Sequence, residues 1–167
     1  ARALNYSTGS YNVAVGSYAA YGVSGSSTFS NTVAVGYQAL QDLTSGAGNT
    51  AVGYQASTNI NSGNNNTSVG YQAGFAITSG SSNSFFGTYA GVNSTGSNNT
   101  AIGHSANFYN TTGSANVVIG REAAFGASGA STFSNTVAVG YQALYDLTTG
   151  ANNTAVGYNA GANITNG

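Results

Sequence analysis

The chain has 167 residues, of which 25 are Gly and none is Pro, Cys, Met or Trp; charged residues make up only 3%, against about 25% in an ordinary soluble domain. Two Arg and no Lys cannot neutralise a run of phosphates, so nucleic acid is excluded as a partner, and the absence of Cys excludes a disulfide scaffold or a Cys-ligated zinc site. No stretch approaches the ~20 apolar residues of a membrane helix, so no membrane insertion is expected of this segment.

Hydrophobic residues nevertheless reach 41%, and they recur at fixed spacing, which argues against a disordered chain. In chain order, an apolar residue followed by Gly appears at Gly16, Gly36, Gly53, Gly70, Gly87, Gly103, Gly120, Gly140 and Gly157, with spacings of 20, 17, 17, 17, 16, 17, 20 and 17. The clearest of these nine units reads Asn49-Thr50-Ala51-Val52-Gly53-Tyr54-Gln55-Ala56. Three residues after each anchor Gly stands Ala, from Ala19 to Ala160. Seven after it an apolar residue often returns, as Val23, Leu43, Ile60, Ile77, Leu147 and Ile164. A larger period lies above this one. Residues 1–63 match 105–167 at 40 of 63 positions, an offset of 104 residues or six units. The two 20-residue units recur in phase, with their insertions in Ser24–Phe29 and Ser128–Phe133. The whole of 1–167 is one repetitive segment.

Gly and Asn disfavour helix, and β-branched residues gather before each anchor. Val33/Val35 or Thr50/Val52 alternate with period two, which puts each pair on one strand face. Strands of about four to five residues have no independent stability; at constant spacing each can pair with its copy in the next unit. The expected fold is all-β, a parallel β-solenoid of nine 16–20-residue coils rising about 40 Å at the usual strand spacing. Val52, Val69, Phe86 and Ile102 are expected to form an inward column, with each anchor Gly at a positive-φ corner. Such a core is thin, so association of several chains about one axis is expected. Neither end reads as a capping repeat, and the expectation is that the roll continues, in a longer polypeptide or in a second copy stacked on it.

The Asn-Thr-Ala-Val-Gly-Tyr-Gln-Ala motif, with its Thr-x-Gly-x-x-Asn turn, resembles the head repeat of trimeric autotransporter adhesins, and similar repeats occur in phage tail-fibre proteins. The resemblance spans Asn12 to Asn163, although the coils here are longer than the family's. It implies a left-handed parallel β-roll, a homotrimer, and an extracellular, cell-surface or virion location.

The residues assemble no acid, base, nucleophile or metal set, so no enzyme, cofactor or metal site is expected. His104 stands where other units have Tyr and has no carboxylate near it in sequence. Arg121 and Glu122 replace a Tyr-Gln pair; as neighbours on a strand they are expected to face opposite ways rather than pair. Asp42 and Asp146, one per block, are too few for the Asp-per-coil pattern of a calcium-binding roll. The candidate surface-contact ladder is Tyr37, Gln38, Tyr54, Gln55, Tyr71, Gln72, Tyr141, Gln142 and Tyr158. Tyr offers flat amphipathic area and Gln offers hydrogen bonds, which suits a glycan or cell-surface ligand; the same ladders also stabilise any stack of strands. Three functional readings follow: a structural fibre segment with an adhesive surface, a receptor- or glycan-binding tail fibre, and an ice-binding solenoid.

Overall fold

The structure, a computed structural model, describes residues 2–25, 27–129 and 131–167. Ser26 and Ala130, within the two insertions, lie outside the described residues. Each repeat contributes one strand of three residues, shorter than the alternation suggests: β1 (Val13–Val15), β2 (Val33–Val35), β3 (Thr50–Val52), β4 (Thr67–Val69), β5 (Ser84–Phe86), β6 (Thr100–Ile102), β7 (Val117–Ile119), β8 (Val137–Val139) and β9 (Thr154–Val156). They form one sheet in chain order, all neighbours parallel. Like residues are in register: Val35 opposite Val52, Val52 opposite Val69, Val69 opposite Phe86. A parallel neighbour is reached only by a crossover, and here every crossover is one turn of the coil. Among the described residues the molecule is therefore an all-β parallel solenoid of nine strands, as the anchor spacing predicts.

Three-residue strands alone would hold such a stack weakly. The remainder of each coil is also hydrogen-bonded to its neighbours. Gln38 N–H donates to Ser17 O of the coil before, while Leu40 and Asp42 N–H donate to Ala56 and Thr58 O of the coil after, at 3.0–3.1 Å. Left-handed residues make this possible by reversing the peptide plane. Gln38, Gln55 and Gln72, two after the anchor, have φ of 50–55°; Leu40 and Ser57, four after it, have 52° and 48°; Asn65 and Asn98, five before it, have 56° and 60°. The anchor Gly is the corner itself. Gly36 has φ +134°, and a Cβ there would run into the carbonyl oxygen of Gly53 in the next coil.

The inward column differs from the expectation. Val52, Val69, Phe86 and Ile102 face outward, and Phe86 and Ile102 are about 40% exposed. The middle residue of each strand faces the core instead: Ala34, Ala51, Ser68, Phe85, Ala101, Val118 and Ala138 are all fully buried. Volume explains the inversion. The coil is narrow, and its space is filled from the opposite wall by Leu43, Ile60, Ile77 and Leu147, with Phe29 and Phe133 from the long coils. Across from them only a small side chain fits. The Ala three residues after each anchor is buried from Ala19 to Ala143, while Val23 and Ile164 are largely exposed rather than core.

Where one position grows, its neighbours shrink. Phe85 occupies the Ala column, and beside it stand Gly74 and Gly91, where a Cβ would come within 2.9 and 2.6 Å of its ring. Ser94 stands where other coils bury Leu or Ile. Ser68, in the same column, is satisfied by Ser57 Oγ at 2.7 Å. A second polar thread runs through the interior four residues before the anchors. Asn49, Asn66, Asn83, Asn99 and Asn116 are buried to within 1% and hydrogen-bond along the axis; the two long coils carry Thr32 and Thr136 there.

Candidate functional site

Tyr37, Tyr54 and Tyr71 follow successive anchor glycines, so the coil pitch sets their spacing. Their rings stack face to face, with centroids 5.3 and 5.2 Å apart and planes 18° and 6° from parallel. Tyr141 and Tyr158 repeat the arrangement at 5.3 Å and 10°. All five are more than a third exposed. Beside them Gln55 Nε2 donates to Gln38 Oε1 and Gln72 Nε2 to Gln55 Oε1, both at 2.7 Å. The structure thus brings the ladder residues of coils two to four into one strip, and Tyr141, Gln142 and Tyr158 into a second strip. Much of their binding capacity is directed inward. Stacking covers the ring faces inside the strip, and the amides bond to each other; a partner meets ring edges and hydroxyls.

The tyrosine column is interrupted at Thr88, His104 and Arg121, and there a second aromatic column takes over, five residues after the anchors. Phe108, Phe125 and Tyr145 stack at 4.9 and 5.1 Å. Tyr89 joins the two columns, edge-on to Tyr71 at 5.3 Å and to Phe108 at 6.1 Å. The sequence reading missed this second column because its positions hold Gln41, Thr58 and Val92 in other coils.

Arg121 and Glu122 do pair, contrary to the strand argument. Arg121 donates to Glu122 Oε1 through Nε and Nη2, each at 3.1 Å, the one ion pair among the described residues. Strand alternation does not apply because Glu122 sits in the turn with φ +55°. Its other oxygen accepts from Gln142 Nε2 at 2.7 Å, so Glu122 is a member of the amide ladder. The guanidinium lies 5.9 Å from the Tyr141 ring centre. His104 is exposed, with Tyr89 edge-on at 6.2 Å.

The Gln142 hydrogen bond, and after it the Arg121 contact, hold the Glu122 carboxyl below the usual glutamate range. A depressed carboxyl stabilises the fold above its unfolded pKa, and that contribution is lost as pH falls through the folded value. Glu122 is close to solvent, so the effect is small. Thermal unfolding followed from neutral to acid pH should show a slight loss in wild type that Glu122→Gln removes, since Gln keeps the ladder acceptor. Burial shifts Asp42 upward; its contribution has the opposite sign, growing as pH falls, and Asp42→Asn removes it.

The outer face of the sheet carries two columns. One runs Val33, Thr50, Thr67, Ser84, Thr100, Val117 and Val137; the other runs Val35, Val52, Val69, Phe86, Ile102, Ile119 and Val139. Every residue in both is half-buried or exposed, with no layer of the described residues over them. A small open hollow of about 360 Å³ lies beside the first long coil, lined by Asn5, Tyr6, Ser7, Thr8, Gly25, Ser27 and Thr28. Among the described residues no three His, Asp or Glu gather, and no helix is long and apolar enough to cross a membrane. Compared with family models, curated proteins and solved structures, the chain matches none.

Proposed function

We propose that the chain is a structural segment of an extracellular or virion fibre, built by lateral self-association of solenoids, three about one axis, with an adhesive outer surface. The observation that carries this reading is the outward Val/Ile/Phe column, which runs the length of the sheet without a charge. Leaving so long an apolar strip in water is unfavourable at about 25 cal/mol per Å². A partner that covers it must match its pitch of about 4.8 Å rung after rung, and a second copy of the same coil does so by construction. The resemblance to trimeric adhesin heads supports three chains.

The test separates assembly from folding. Val52→Asp with Ile102→Asp puts two carboxylates on the outer face, where the side chains already face out, so the β signal should survive while the self-associated species dissociates. Ala51→Asp, one residue away but facing the core, should unfold the chain. Light scattering at micromolar concentration gives the mass of each. A wild-type monomer would sink the proposal.

The same face favours a second reading in one respect. Thr50 and Thr67 lie in register, with Thr100 further along the same column, as part of the Thr-x-Thr face that ice binding needs, but Val52, Val69 and Ile102 fill the second column and Val33, Val117 and Val137 interrupt the first. Phe86 and Ser84 break that pattern in the middle of the sheet, and thermal hysteresis in the Val52→Asp/Ile102→Asp protein and its parent would distinguish the two. For a glycan-binding tail fibre, the covered ring faces of Tyr54 are an obstacle, because sugars stack on free faces.

A further inference from the structure

We propose that the tyrosine stacks are sites of oxidative coupling, at which peroxide and a haem peroxidase join Tyr54 to Tyr37 or Tyr71, and Tyr141 to Tyr158, within one chain. The geometry is the argument. Coupling requires two tyrosyl radicals whose ring carbons beside the hydroxyl can meet. In free solution that is a bimolecular encounter; here the neighbouring phenol is held 5.2–5.3 Å away, ring over ring, by the coil register. Holding reactants in place converts the step to an intramolecular one and raises the effective concentration of the partner by orders of magnitude. The rings project from the solenoid and are 37–76% exposed, so an external oxidant reaches them and the side chains have room to slide the last few ångströms.

The chemistry balances with the named oxidant. Each of two phenols gives one electron and one proton to the peroxidase, and one hydrogen peroxide is reduced to two waters. The two radicals form a carbon–carbon bond between their ortho positions. The ring protons displaced there return to the oxygens, so both phenols are restored and the pair is lighter by two hydrogens. Each link would tie one coil to the next, along the axis. The coupling does not depend on whether the chain builds a fibre.

The molecule contains its own controls. Phe125 and Tyr145 stack as closely, at 5.1 Å and 3°, but Phe has no phenol to oxidise. Tyr71 and Tyr89 are as near, at 5.3 Å, but lie edge to face at 81°. Tyr11 is 86% exposed and forms no ring pair, so it can couple only to another chain.

The experiment treats the purified chain, dilute, with hydrogen peroxide and a haem peroxidase, and reads dityrosine fluorescence, mass on a denaturing gel and cross-linked peptides. The expected result is a chain that keeps its single-chain mass and yields links at Tyr37–Tyr54, Tyr54–Tyr71 and Tyr141–Tyr158. Tyr54→Phe should abolish the first two and lower the fluorescence by about half, since proximity governs the yield. Tyr141→Phe should abolish only the third. Circular dichroism of both variants confirms that the coil is retained. Links chiefly between chains, links chiefly at Tyr11, or a yield unchanged in Tyr54→Phe would overturn the proposal.

Discussion

Gly70→Ala is expected to cost about 3–5 kcal/mol, from backbone strain of about 1–3 kcal/mol and overpacking of similar size. Gly70 has φ +139°, a region that L side chains hardly enter, and a Cβ there would lie 2.5 Å from the carbonyl oxygen of Gly87 and 3.2 Å from Thr88 N. Those atoms are backbone and cannot rotate away. To make room, two coils must separate, and the Gly87 N–H to Val69 O bond at 2.8 Å lies in the gap. Gly25 provides the comparison. Its φ is +87°, so Ala is strained there too, but among the described residues no atom beyond its chain neighbours lies within 4 Å of the added Cβ. Gly25→Ala should therefore cost only about 1–2 kcal/mol, the strain alone. Urea unfolding of both variants measures the difference. Equal losses would mean that the coils do not approach each other at the anchor.

The anchors were the most legible part of the chain. A Gly at near-constant spacing, preceded by β-branched residues where helix formers are scarce, led to one strand per repeat and parallel pairing, because a coil of fixed length brings each strand beside its copy in the next unit. Which face of the strand looks inward was not legible. Alternation places Thr50 and Val52 together and Ala51 opposite, and polarity alone sends Val inward. The deciding quantity is the volume left by Ile60 and Leu43 on the far wall, which is tertiary information. The Phe85, Gly74, Gly91 and Ser94 set shows the same rule within a single coil. Local backbone was legible in part. Asn65 and Asn98 signal left-handed positions, but Gln55 and Leu40 adopt the same conformation with no signal in their side chains. The Arg121–Glu122 pair was missed for that reason, since a strand rule was applied to a turn. The tyrosine and glutamine columns of the candidate site could be read from the repeat, whereas their stacking and mutual hydrogen bonding depend on the coil pitch.

Asn66→Asp should cost about 3–5 kcal/mol at neutral pH, the scale of a buried carboxylate facing acceptors and of the donors it removes. Asn66 is 1% exposed and occupied on all sides. Its Nδ2 donates to Asn49 Oδ1 at 3.1 Å and to Gly80 O at 2.9 Å, while its Oδ1 accepts from the backbone N–H and the Nδ2 of Asn83, both at 3.0 Å. In Asp the nitrogen becomes a second oxygen. The Asn83 bonds survive, but Asn49 Oδ1 and Gly80 O then face an acceptor carrying negative charge. Protonation relieves this, because the carboxylic O–H can donate to either one. The folded-state pKa of the new carboxyl is therefore raised above its unfolded value. By linkage, the lost stability returns as pH falls through the folded pKa and is most fully recovered below the unfolded one, opposite in sign to the Glu122 contribution. Asn64→Asp, two residues away on the exposed surface, should change stability by less than about 0.5 kcal/mol. Denaturation of the two variants at neutral and acid pH tests the ladder: parallel pH profiles would show that the Asn66 amide is not buried against Gly80 and Asn49, and the axial thread of asparagines would then contribute nothing to holding the coils in register.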